Sequence, residues 1–183
     1  MSYLQTEIDR IVNKVKRQLI ERKTIGAHLN FKNPWILIAT WFGSGVFLPA
    51  SGTWGTIATL PFALPIWYFG GKLGLLAFLI IVFFLGMKAS KVFEKETDSH
   101  DSGLIVVDEV IGYTIALLVI PFDAIWIAIA FVLFRGFDTI KPWPISWIDI
   151  HTDGAWGVIA DDIAAGATTA LVLIGLQYAH VLG

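Results

Sequence analysis

The chain has 183 residues, of which 56% are hydrophobic and only 15% charged, and its mean hydropathy is +0.70. A soluble domain carries about 25% charged residues, so the composition excludes one and reads as an integral membrane protein, with room for about five spans of roughly 20 residues and none for a second folded domain. The net charge of −2 decides little, and the absence of cysteine excludes disulfides, thiolate metal ligands and cysteine nucleophiles.

Seven of the thirteen Lys and Arg residues precede Pro34: Arg10, Lys14, Lys16, Arg17, Arg22, Lys23 and Lys32. The positive-inside rule then places the N-terminus in the cytoplasm. No short apolar core and small-residue cleavage site follow, so a cleaved signal peptide is not expected. Leu4, Ile8, Ile11, Val12, Val15 and Leu19 recur at helical spacing, which predicts an amphipathic helix. It fits the inner leaflet and the protein's own cytoplasmic face equally well. Residues 1–32 are therefore expected to form an N-terminal amphipathic extension, and 33–183 the membrane-embedded domain.

Residues 35–48 are apolar but short for a span and are interrupted by Gly43, Gly45 and Pro49, so a re-entrant or interfacial segment is expected. A first span is predicted over 51–69, kinked at Pro61 and Pro65, with a turn at Gly70, Gly71 and Lys72. Residues 73–87 make the second span, and the loop 88–101, with Lys88, Lys91 and Lys95, is cytoplasmic by the same rule. The third span is predicted over 104–120 and the fourth over 124–137. Lys141-Pro142-Trp143-Pro144 continues a helix poorly. Residues 145–157, flanked by Trp143 and containing Trp147 and Trp156, read as interfacial, and Trp35 as a further interfacial anchor. The fifth span runs over 158–182. The predicted fold is an all-α membrane bundle.

Within this apolar chain the stretch 105–112, Ile-Val-Val-Asp-Glu-Val-Ile-Gly, carries two adjacent carboxylates. A carboxylate at membrane depth costs roughly 2.5–3.5 kcal/mol, so Asp108 and Glu109 require a cation or a water-filled site. The same anomaly recurs at Arg135 to Asp138 and at Asp161-Asp162. Five alternating crossings put all three, with the Gly52 to Thr56 turn, on the cytoplasmic side, as a single active site would require. Asp108, Glu109, Asp138, Asp161 and Asp162 form an oxygen-rich donor set suited to Mg²⁺ or Mn²⁺ rather than zinc. Capping of helix N-termini is the alternative for these acids, above all for Asp161 and Asp162. Arg135 and Lys141 flank Asp138 at i−3 and i+3 and suit a phosphate, or else pair locally with Asp138. Thr53 between glycines at a helix start offers an anion site, or merely a cap. His100 in the polar loop is a candidate proton donor, or a solvated histidine.

The ordered set Asn33-Pro34-Trp35, Gly52-Thr53-Trp54-Gly55-Thr56, His100-Asp101 with the 105–112 stretch, Phe134-Arg135-Gly136-Phe137-Asp138 with Lys141-Pro142-Trp143-Pro144-Ile145, and Asp161-Asp162-Ile163-Ala164-Ala165-Gly166 resembles the bacterial phosphatidylglycerophosphatase A family from about Asn33 onward. The resemblance implies a multi-pass, Mg²⁺-dependent lipid phosphatase of the bacterial inner membrane with its active site facing the cytoplasm. Such an enzyme converts phosphatidylglycerophosphate to phosphatidylglycerol, with a membrane phospholipid and no nucleic acid as partner. On this reading Asp108, Glu109, Asp138 and one of Asp161 or Asp162 hold Mg²⁺. His100 joins Asp108, Glu109, Asp138 and Asp162 as a catalytic group, and Thr53, Arg135 and Lys141 bind the phosphate. Direct water attack and an aspartyl-phosphate intermediate both remain open. A CDP-alcohol phosphotransferase would carry a D-G-x-x-A-R run, which is absent, and a cation transporter would place its carboxylates near mid-membrane.

Overall fold

The protein is described here by a computed structural model, covering residues 16, 19–20, 23–47, 49–99 and 102–179. Among these the chain is helical, with no strand. In chain order the helices are α1 (Pro34–Ala39), α2 (Ser51–Thr97), α3 (Val107–Leu118), α4 (Ala124–Ile140), α5 (Ile145–His151) and α6 (Gly154–Tyr178). The expected N-terminal amphipathic helix falls almost wholly outside the described residues, as does His100.

A single helix of the 47 residues of α2 would be about 70 Å long, against a hydrocarbon core of about 30 Å. It is instead a hairpin of two limbs, 51–70 and 72–97. At Gly71 the backbone turns to φ 61°, ψ −161°, a region open to glycine because it has no Cβ. The reversal brings the Ile66 carbonyl oxygen to 3.1 Å from where a Cβ on Gly74 would lie, although residues eight apart on one helix are about 12 Å apart. The Trp41 ring likewise meets both Phe62 and Phe78, at 5.0 and 6.1 Å between centroids. The expected turn at 70–72 is thus where the chain reverses. At Pro61 and Pro65 helical angles persist, with both residues on the exposed face.

The described part of the 35–48 stretch, residues 35–47, does not span. Asn33 accepts a hydrogen bond from the Trp35 N–H at 2.9 Å and Pro34 opens α1, as expected for a capped start. Trp41, Phe42 and Gly43 then take left-handed angles, and the chain turns through a 3₁₀ segment, Ser44–Val46. Trp35, expected as an interfacial anchor, packs under the Lys88 ammonium at 4.1 Å. The Asn33 amide donates to Glu96 at 2.6 Å. Both contacts fasten α1 to the end of the second limb of α2.

The expected third span is a helix of only 12 residues, α3, about 18 Å long. The residues before it stay non-helical because other parts of the chain satisfy their backbone, as buried backbone requires. The Val106 N–H donates to the Ala39 carbonyl at 2.9 Å, and the Ser51 hydroxyl to the Gly103 carbonyl at 2.6 Å. After α3 the chain turns at Pro121 and Asp123, whose carboxylate caps α4 by accepting from the N–H groups of Ile125 and Trp126. The last helix begins at Gly154 and not at 158, a full turn earlier than expected.

The tightest crossing joins α3 to α6. A Cβ on Gly166 would lie 2.3 Å from the Gly112 carbonyl oxygen, and one on Gly112 would lie 2.5 Å from the Asp162 carbonyl oxygen. Backbone meets backbone there, the arrangement by which helices associate without a hydrophobic drive between them. At the far end the Gln177 amide donates to the Val119 carbonyl at 3.1 Å.

Among the described residues two helices, α2 and α6, are long and apolar enough to cross a membrane. Large apolar side chains such as Leu73, Phe84, Ile125, Val132 and Leu171 point outward, where a soluble protein would place charge. Exposed aromatics lie at both ends, with Tyr68, Phe69, Phe122 and Tyr178 at one and Trp54, Trp143, Trp147 and Trp156 at the other, and Phe62 and Phe84 between them. Paired aromatic rims are the mark of two membrane–water interfaces.

The helix crossing can be tested by substitution. Gly166→Val is expected to cost about 1–3 kcal/mol by overpacking and to lower the melting temperature in detergent by several degrees. Gly175→Ala on the same helix, where an added Cβ meets nothing within 4 Å, should leave it unchanged or raise it.

Candidate active site

Three helices bring their polar groups to one end of the bundle. The first turn of α3 supplies Asp108 and Glu109, the last turns of α4 supply Arg135 and Asp138, and α6 supplies Asp161 and Asp162. Carboxylate oxygens of Asp108, Glu109 and Asp162 lie within 4.8 Å of one another, and so do those of Asp138, Asp161 and Asp162. Asp162 belongs to both groups and is 3% exposed. The Gly112–Gly166 contact lies one turn deeper on α3 and α6 and sets this spacing. Unit charges that close repel by roughly 3 kcal/mol at an effective dielectric of about 20, so the cluster opposes its own assembly.

Capping does not explain the pair on α6. Asp161 and Asp162 stand about two turns inside a helix that starts at Gly154, beyond the reach of its free N–H groups. Asp108 does accept a hydrogen bond from the Glu109 N–H at 3.0 Å, so a local bond is part of its role.

Two cations enter the cluster in different ways. Arg135 pairs with Asp138 through Nη1 to Oδ2 at 2.6 Å and lies 3.7 Å from Glu109 Oε1. The local pair expected as an alternative is therefore present, while the buried Arg135 Nε has no hydrogen-bond partner. Lys141 does not pair with Asp138. Its Nζ lies 2.5 Å from Asp161 Oδ2 and also contacts Asp149 Oδ1. Burial works against the Lys141 charge, but the carboxylates of Asp161 and Asp149 outweigh it and raise its pKa above that of a free lysine. The other oxygen of Asp161, Oδ1, is buried without a partner.

Thr53 is half-buried on the first turn of α2, but the residue of this turn that meets the cluster is Gly52. A Cβ there would fall 2.1 Å from Glu109 Oε1 and 2.9 Å from both terminal nitrogens of Arg135. Sequence reasoning took the Gly-Thr-Trp-Gly motif as a turn with Thr53 as an anion site or a cap, and passed over the close approach that requires an absent side chain at Gly52. It also passed over Asp149, a lone carboxylate between Trp147 and Ile150, because the surrounding stretch read as interfacial.

Comparison with known proteins bears on this arrangement. The model of the family described as phosphatidylglycerophosphatase A matches residues 37–177. The chain is 37% identical over 161 residues to the phosphatidylglycerophosphatase A of Escherichia coli, covering 86% of this chain and 91% of that protein. It is also 37% identical over 152 residues to that of Haemophilus influenzae, covering 82% and 93%. No solved structure matches the chain.

The two kinds of carboxylate should respond oppositely to neutralisation. No lysine or arginine contacts Asp162 among the described residues, so Asp162→Asn removes repulsion. In protein stripped of metal by EDTA it should melt no lower than wild type. Asp138→Asn takes the close partner from a buried arginine and should melt lower. Equal losses in both variants would mean that repulsion does not dominate at Asp162.

Proposed function

The chain belongs to the phosphatidylglycerophosphatase A family, and from that membership we propose that it hydrolyses the terminal phosphomonoester of phosphatidylglycerophosphate, giving phosphatidylglycerol and inorganic phosphate. The observation that carries this reading is the pair of carboxylate groups sharing Asp162 beside a buried arginine. Like charges gathered at such cost need a compensating cation. Five oxygen-donor residues and the orphaned Asp161 Oδ1 fit a hard divalent ion, for which Mg²⁺ is the natural occupant.

Asp108, Glu109, Asp138, Asp161 and Asp162 would hold the ion, Asp162 contributing to either group. When bound, Mg²⁺ supplies Lewis-acid stabilisation of the phosphoryl oxygens. Arg135 offers those oxygens a planar fork whose Nε is already desolvated and unused, and the Asp138 pair fixes its aim. Gly52 keeps the space beside that fork clear. Hydrolysis overall joins a water oxygen to phosphorus, breaks the bond from phosphorus to the terminal glycerol oxygen and leaves that oxygen protonated, whether water attacks directly or through an aspartyl-phosphate; on either route these residues supply positioning and charge stabilisation.

The same reading has the bundle cross the membrane five times, through the two limbs of α2, then α3 with the buried segment before it, α4 and α6. The cluster, the exposed Trp143 and Trp147 and the lysine-bearing end of α2 then share the cytoplasmic face of a bacterial inner membrane. A phospholipid lying in that leaflet presents its phosphate at this level.

The activity is tested by phosphate release in detergent after EDTA treatment. Phosphatidylglycerophosphate should be hydrolysed only when Mg²⁺ is restored; no release with the metal present would overturn the function, and undiminished release without it would overturn the metal. Orientation is tested separately. The chain has no cysteine, so Lys91→Cys and Asp153→Cys, both at exposed positions, should react with an impermeant thiol reagent only after the inner face is opened. Labelling of intact cells would place the site outside.

A further inference from the structure

We infer that Asp149 is a positioning residue that stands in for the substrate phosphate on Lys141: its carboxylate holds the ammonium beside the acidic cluster and releases it when phosphate arrives. The inference rests on the phosphatase reading and concerns a residue which that reading does not use.

Lys141 is held at both ends of its side chain. Its backbone takes left-handed angles, φ 48° and ψ 58°, its N–H donates to the Phe137 carbonyl, and Pro142 follows. The ammonium ends between two carboxylates that are not equivalent. Asp161, 10% exposed, comes from the long helix α6, whereas Asp149, 34% exposed, comes from the seven-residue α5. Ile145 at the start of α5 is fully buried, while Trp147 and Ile150 face outward. Lys141 itself is only 13% exposed, so Asp149 covers its open side and Asp161 its closed side.

Charge decides which partner yields. Among the described residues six carboxylates, Asp108, Glu109, Asp138, Asp149, Asp161 and Asp162, face two cations, Arg135 and Lys141. Even with the proposed divalent ion bound, two negative charges of this set remain uncompensated, so a phosphate entering that field is opposed until a carboxylate yields. An ion pair costs least to break where its partner is most solvated, and of the two carboxylates on Lys141 that partner is Asp149. An ammonium has three donors and no fixed plane, so it can donate to a phosphate oxygen in place of a carboxylate oxygen without reorienting. Asp161 stays paired throughout and keeps the lysine beside the cluster.

The sign of the effect separates this role from a structural one. Removing a competitor should tighten phosphate binding, whereas removing a support should loosen it. Inorganic phosphate titrated calorimetrically into the Mg²⁺-loaded protein in detergent should bind about three- to tenfold more tightly to Asp149→Asn than to wild type, the range of an ion pair worth up to about 1.4 kcal/mol. KM for the lipid should fall in parallel and kcat should fall as product leaves more slowly. Asp149→Glu should restore wild-type values, and the gain should vanish in the double variant Asp149→Asn/Lys141→Met. Unchanged or weaker phosphate binding by Asp149→Asn would overturn the role, as would a gain that survives loss of Lys141. If wild type releases no phosphate from lipid at all, the phosphatase reading falls first and this one with it.

Discussion

The contact between Gly112 and Gly166 holds the rest in place. It brings two backbones to a distance that no side chain allows, and one turn away it forces the acids of α3 against those of α6. Repulsion among them is paid once, by the packing of the whole bundle, rather than locally at each charge. Every other polar feature of this end responds to that imposed proximity.

Arg135 and Lys141 answer it in different ways. Arg135 lies between α3 and α4, against a helix start stripped of its side chain at Gly52. It can therefore serve a second anion without leaving Asp138, because a guanidinium has donors on more than one edge. Lys141 neutralises one oxygen of Asp161 and leaves the other unpartnered. The cluster is consequently under-compensated, which is the condition for binding a cation strongly.

Much of this was legible in the sequence because a charge inside an apolar run has few cheap explanations. Asp108, Glu109, Asp138, Asp161 and Asp162 stood out on that ground, and the structure gathers them. The reversal at Gly71 was legible as well, since paired glycines and a lysine broke an otherwise continuous hydrophobic stretch. The short length of α3 was not, because the hydrogen bonds that keep residues 103–106 out of the helix come from Ala39 and Ser51, far away in sequence. Trp35 looked like any interfacial tryptophan, and only the fold places Lys88 over it. Asp149 was hidden for the opposite reason: a lone acid among exposed apolar residues has a cheap explanation in solvent. His100 and most of the expected N-terminal amphipathic helix lie outside the described residues, and their expected roles stand where the sequence left them.

Synthesis of the chain runs from α1 to α6, and the order of assembly follows from where the acids lie. The segment before α3 bonds to residues already made, at Ala39 and Ser51, so Asp108 and Glu109 can be seated before α4 emerges from the ribosome. Asp162, which both carboxylate groups share, arrives on the last helix. A nascent or truncated chain lacking α6 therefore has neither complete group, and on the proposed reading it would be inactive toward membrane lipid until insertion is finished.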